Sequence, residues 1–266
     1  MAFWHNFIDW TNNIEHLNYY GIYTQFDAHI SDFKTLKKEV FELFSVVPDE
    51  KLRKKLTLND IIYEEQYYGG GCYTAELDYG ASGLPIIQPR FGLSENIIPS
   101  RKINNISCLF QMSQINAHIL NGLSFIKGMS FMILYNPRYH SWENNHSPEA
   151  YKYKGGIKTY FCDAHKIKKV DLSDRPGRIT GIGNITFHGG SEFWFGPSFY
   201  KYVPKERILE FEHADLVEEL PNNIIHIKLM DIKDYWTGEG QGRLSDLRYQ
   251  LNIDSLEKAY QASLAR

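Results

Sequence analysis

The sequence predicts an α+β fold: a central, mainly antiparallel, curved β-sheet with helices at the N- and C-terminal ends. Three observations predict it. Apolar residues recur at steps of three and four only towards the two ends of the chain. Between about residues 59 and 230, short runs rich in Tyr, Ile, Phe and Thr are separated by Gly- and Pro-containing turns. Nowhere do strands alternate regularly with long helices, as a doubly wound parallel sheet requires.

Taken in order, Trp4, Phe7, Ile8, Trp10, Ile14 and Leu17 fall mostly on one helical face. Gly21-Ile22-Tyr23-Thr24-Gln25-Phe26 alternates like a strand. Ser31 or Asp32 can cap a following helix with Phe33, Leu36, Val40, Leu43 and Phe44 as its stripe, closed by Pro48. Strands are expected at Cys72–Tyr79, Ile106–Met112, Ser130–Tyr135, Ile157–Cys162, Ile179–Phe187, Ile208–Glu212 and Ile224–Met230. The punctuation between them includes Gly69-Gly70-Gly71, Gly80-Ala81-Ser82-Gly83, Asn136-Pro137, Gly155-Gly156, Arg175-Pro176-Gly177 and Pro221-Asn222-Asn223. Leu244, Leu247, Leu251 and then Leu256, Tyr260, Leu264 predict one or two closing helices, with Asp254 or Ser255 as a cap between them. Without a polar linker the expected organisation is one domain, 1–266, with an N-terminal helical lobe (1–60) on a β-rich body (61–266) as the main alternative division.

The chain has 266 residues, 43% hydrophobic, 15% aromatic and 23% charged, which is a globular composition. A formal charge of −3 argues against a general nucleic-acid binder, which carries a basic face. Cys72, Cys108 and Cys162 are too few and scattered for a disulfide framework. The first ten residues lack the basic and unbroken apolar regions of a secretory signal. The longest apolar run, Met129 to Tyr135, falls far short of the roughly 20 residues that span a bilayer. The expectation is a cytoplasmic protein without membrane contact.

No strong catalytic motif stands in the sequence. His140, Glu143, His146, Cys162, Asp163 and His165 form the densest set of metal-capable side chains, but zinc sites favour paired spacings that are missing here. Phe187-His188-Gly189-Gly190 ends a predicted strand, and a histidine beside glycines could act as a general base where a substrate approaches the backbone. No Gly-x-Ser-x-Gly elbow and no P-loop occurs. Gly181-Ile182-Gly183 runs into a strand, not a helix, so it reads as a turn or bulge. Glu76 and Asp78 share a strand face, ordinarily a solvent face. The expectation is no catalytic residue, no metal and no cofactor.

Two features favour a partner surface. Glu206, Glu210, Glu212, Asp215, Glu218 and Glu219 gather against only Lys205 and Arg207, which can steer a basic partner. Aromatic residues crowd 187–202; most are expected in the core, with Tyr200 and Tyr202 as candidate binding anchors beside the acidic run.

The segment from Phe195-Gly196-Pro197 through Val203-Pro204-Lys205-Glu206-Arg207-Ile208-Leu209, the run Asn222-Asn223-Ile224-Ile225-His226-Ile227-Lys228-Leu229 and the closing Ile253-Asp254-Ser255-Leu256-Glu257-Lys258 resemble bacterial immunity proteins of polymorphic toxin systems. The opening strand and helix, Gly21 to Phe44, resemble them too. The resemblance touches about a third of the chain. It implies a cytoplasmic antitoxin that blocks the toxin domain of a neighbouring effector, such as one delivered by a type VI secretion apparatus, and it brings no catalytic residues. The expected partner is a cognate toxin domain with a basic surface. Two other classes stand beside it: a hydrolase or transferase acting on a small molecule or modified protein around His140, Glu143, Cys162 and His188, and a structural or assembly protein.

Overall fold

The computed structural model describes residues 19–27, 29–30, 33–44, 62–65, 71–76, 90–98, 101–111, 117–151, 157–163 and 166–264. The helix expected over 4–17, the turn at 80–83, Asp78 and His165 lie outside them. Strands β1 (Tyr19–Asp27), β2 (Ile62–Glu65), β3 (Gly71–Glu76), β4 (Arg90–Ile98), β5 (Arg101–Gln111) and β6 (Met129–Tyr135) are followed by two small hairpins, β7 (Thr159–Cys162) with β8 (Ile167–Val170) and β9 (Thr180–Ile182) with β10 (Ile185–Phe187). Strands β11 (Glu192–Phe195), β12 (Leu216–Leu220) and β13 (Ile224–Lys228) complete a nine-stranded sheet of order β12-β13-β11-β6-β1-β5-β4-β3-β2. Its pairings are antiparallel, so the fold is α+β as the sequence predicts.

The helices are α1 (Phe33–Phe44), α2 (Ala117–Phe125), α3 (Pro137–Asn144), the short α4 (Lys205–Leu209), α5 (Gly238–Gln250) and α6 (Ile253–Leu264). They are not confined to the ends, since α2, α3 and α4 interrupt the strand-rich body.

A core lies on each face of the sheet. On one, Ile22, Phe26, Met129, Met132, Leu134 and Trp194 pack beneath Leu36 and Val40 of α1 and Ile119 and Leu123 of α2. On the other, Phe131, Ile133, Tyr135, Phe193, Phe195, Ile225 and Ile227 meet the β9–β10 hairpin, α4 and the leucines of α5. Strand β6 is buried on both faces, which is why its sequence is continuously apolar. Phe26 pairs with Met129 while Gln25 pairs with Phe131, so Ser130 is an extra residue in β6. That bulge switches the alternation and lets Met129 share a face with Met132. Gly122 lets α2 pack closely on α1, since a Cβ there would stand 2.3 Å from a terminal methyl of Leu43 and that side chain would have to shift.

Two expected strands change character. Ile208–Glu212 opens instead inside α4: Pro204 precedes three good helix formers, the amide of Arg207 donates to the Pro204 carbonyl at 3.1 Å, and only Ile208 of the turn is buried. Ile179–Phe187 is a hairpin, folded at Gly183 with a φ of +64° that L side chains rarely adopt. Strands β2, β4, β8, β11 and β12 are not among the expected strands, and the Leu-Val-Glu-Glu-Leu of β12 reads in sequence as part of an acidic run. Two closing helices form, but α6 already begins at Ile253, so Asp254 and Ser255 lie inside its first turn and do not cap it. The Thr237 hydroxyl caps α5 by accepting the Gly240 amide at 3.0 Å. Buried Arg248 ties α5 to β9 and α6 through Thr180 Oγ1 at 2.8 Å and Asp254 Oδ1 at 2.6 Å.

Candidate partner-binding groove and a buried histidine pair

The predicted acidic cluster separates into two groups. Asp215 lies 2.6 Å from Arg243 Nη1, Glu219 lies 2.5 Å from Lys205 Nζ, and Glu218 lies 2.9 Å from His226 Nδ1. These three carboxylates are engaged in holding the loop, α4 and β12 against α5 and β13. Glu206, Glu210 and Glu212 are exposed and have no ion pair among the described residues. The aromatic candidates serve the fold. The Tyr200 hydroxyl is 2.8 Å from the carbonyls of both Phe195 and Asn223, and burial pushes its pKa up. The Tyr202 oxygen accepts the Asn184 amide at 3.0 Å, and its ring fills the space beneath Gly183.

Glu210 and Glu212 instead face residues that the sequence reading did not select. A groove of about 510 Å³ lies between the 210–213 segment and the end of α5, with Asp246, Tyr249 and Gln250 on its far wall. Phe211 is buried at its base, anchored in the second core. His213 Nδ1 sits 2.8 Å from Asp246 Oδ2 and joins the two walls. Tyr249 is 88% exposed. An aromatic ring this bare, beside unpaired carboxylates and over an apolar floor, suits the side chain of a cationic partner. Helical periodicity could have found this wall. Leu244, Leu247 and Leu251 face the core, so 246, 249 and 250 must face away from it.

On the opposite side of the acidic run, His226 of β13 is held between two carboxylates. Glu218 of β12 faces Nδ1 at 2.9 Å, and Glu192 of β11 faces Nε2 at 3.1 Å. Ionised carboxylates only accept hydrogen bonds, so both ring nitrogens carry protons in this arrangement. The ring stacks on Trp194 at 4.5 Å with an interplanar angle of 15°. Burial alone lowers the pKa of His226, but the hydrogen bonds and charges of Glu192 and Glu218 outweigh it and raise the pKa.

The structure also gathers part of the suspected catalytic set. His140 of α3 stacks on His188, which follows β10, with ring centroids 5.2 Å apart and planes 17° from parallel. Tyr23 and Tyr135 pack on His188 and His140 at 4.2 and 4.7 Å. Burial depresses the pKa of His140 to about 4 and that of His188 well below its ordinary value, with His140 adding to the second shift. Both ring nitrogens of His188 are buried without a hydrogen-bond partner among the described residues. The adjacent glycines serve packing, since a Cβ at Gly189 would meet Gly177 Cα and the Tyr235 hydroxyl at 2.5 Å.

The remaining members disperse. Glu143 is buried, accepts the Gly177 amide at 2.9 Å and lies 3.6 Å from Arg175. Cys162 stands on β7 and His146 is exposed. Among the described residues, no three His, Cys, Asp or Glu side chains converge as metal ligands. None of the described helices is long and apolar enough to cross a membrane. No protein-family model, curated protein or solved structure matches the chain.

Proposed function

We propose that this chain is a cytoplasmic immunity protein: it neutralises a cognate bacterial toxin by occluding it and catalyses no reaction itself. The observation that carries this reading is the groove, in which Glu210 and Glu212 are unpaired and Tyr249 is 88% exposed. Its chemistry suits lysine or arginine side chains on a toxin with a basic surface. Exposed charges would act mainly on the association rate, and the aromatic anchor on dissociation. The test uses the toxin domain encoded in the neighbouring reading frame. E210K/E212K should slow association by about tenfold at low salt and flatten its salt dependence. Y249A should raise the dissociation rate. Rates and salt slope unchanged in folded variants would sink this reading of the groove.

A second reading, an enzyme that reverses a toxin's modification, is favoured by one observation: the unpartnered nitrogens of His188 against His140. Neutralisation by H188L distinguishes the two. An occluding protein keeps full neutralisation per mole of folded variant, whereas an enzyme relying on this imidazole loses it.

A further inference from the structure

The β7–β8 hairpin carries a surface that complements the groove. Its base is anchored: Val170 is buried with Tyr151 and Leu172, and the Val170 amide donates to the His146 carbonyl at 2.9 Å. Beyond the base, Tyr160, Phe161 and Ile167 are 46%, 60% and 52% exposed. The register sets Tyr160 opposite Lys169 and Phe161 opposite Lys168, so each face of the ribbon carries an aromatic ring beside a lysine. Lys158 is paired with Asp174, and Lys166 lies 3.7 Å from Asp163. Lys168 and Lys169 have no carboxylate partner among the described residues. Clustered exposed apolar side chains rimmed by polar groups mark a contact surface.

The groove offers the reverse features: a concave wall, unpaired Glu210 and Glu212, and a bare Tyr249. We propose that the β7–β8 hairpin of one copy docks against the groove of a second copy through the face that carries Phe161 and Lys168, Lys168 meeting Glu210 and Glu212 and Phe161 meeting Tyr249, while Lys169 on the other face adds to the positive charge of the ribbon. Because different patches meet, the contact is heterologous and runs head to tail. One hairpin in one groove is a small interface, so the association is transient and salt-sensitive. It uses the groove assigned above to the toxin, and a toxin would therefore compete with it. It requires no toxin to exist, so the two readings stand or fall separately.

The experiment is sedimentation velocity of the full chain over a concentration series, without any partner. At low salt the average sedimentation coefficient should rise with concentration, and high salt should return it to the monomer value. E210K/E212K and K168E/K169E should each weaken self-association by more than about tenfold, because like charges then face each other. An equimolar mixture of the two variants should associate again, since each groove now meets a hairpin of opposite sign. Circular dichroism confirms that both variants, altered only at surface charges, are folded. A protein that stays monomeric throughout the series, association that survives both reversals, or a mixture that fails to associate would each overturn the proposal.

Discussion

His226 and the His140–His188 pair lie on opposite faces of one sheet, and the same side chain is driven in opposite directions. His226 sits beside Trp194 with a carboxylate at each ring nitrogen, which favours its imidazolium form. His140 and His188 sit among Tyr23, Tyr135 and each other, with no carboxylate supplied to them in any described hydrogen bond. Burial penalises the charged form in both places. What decides the outcome is whether opposite charge was built in alongside. A histidine's place in the sequence says nothing about that, because the deciding neighbours come from other strands.

The largest expected effect is in the interior. His140 and His188 are neutral in the folded protein but titrate near 6.5 when unfolded, so the unfolded chain binds more protons in acid. Folding stability should therefore fall as pH drops below about 6.5, by up to about 1.4 kcal/mol per pH unit for each histidine that stays neutral. Urea unfolding between pH 7 and 4 measures the slope. H188L should flatten it and cost little at pH 7, because the imidazole nitrogens it removes make no hydrogen bond. An acid slope that H188L leaves unaltered would place the lability elsewhere.

The clamp should give a smaller effect of opposite sign. A raised pKa means stability that is fully present below about 6.5 and lost as pH rises through the folded value. H226Q should cost about 1–2 kcal/mol near pH 6 and less near pH 9, the exposure of Glu218 limiting the gain. Trp194 provides a local reporter: its fluorescence, taken as the difference from W194F, should titrate above the ordinary histidine range. E218Q and E192Q should each bring that midpoint down. A midpoint at or below 6.5 in the parent protein would contradict the clamp.

The fold was legible where period and packing agreed. The stripe Leu36, Val40, Leu43 and the leucines of α5 announced their helices, and the apolar run of β6 announced a doubly buried strand. Helix α4 was misread because Ile208 and Phe211 are β-favouring residues, and one turn is too short for periodicity to outvote them. The candidate site was half legible. Glu210 and Glu212 could be selected as charge in sequence, but Asp246 and Tyr249 reach the groove from 34 or more residues away. Asp215, Glu218 and Glu219 looked equivalent to them until Arg243, His226 and Lys205 were placed beside them. Charge density in sequence counts carboxylates; only the fold assigns their partners.

The smallest effect on stability should come from the third histidine site, His213, and it extends the comparison to the surface. It bonds Asp246 at 2.8 Å, but both side chains are more than half exposed. Water screens such a pair, and two mobile side chains lose rotamer freedom to form it, so D246N should change stability by no more than about 0.5 kcal/mol. Its consequence is positional. His213 is the contact that joins the 210–213 segment to α5 across the groove, and weakening it frees one wall relative to the other. Amide hydrogen exchange at 210–215 should therefore quicken in D246N while exchange in β13, inside the second core, stays as it was. Quickened exchange in both would show that the pair supports the sheet itself, and the ordering of the three histidine sites by burial would fail at its weakest member.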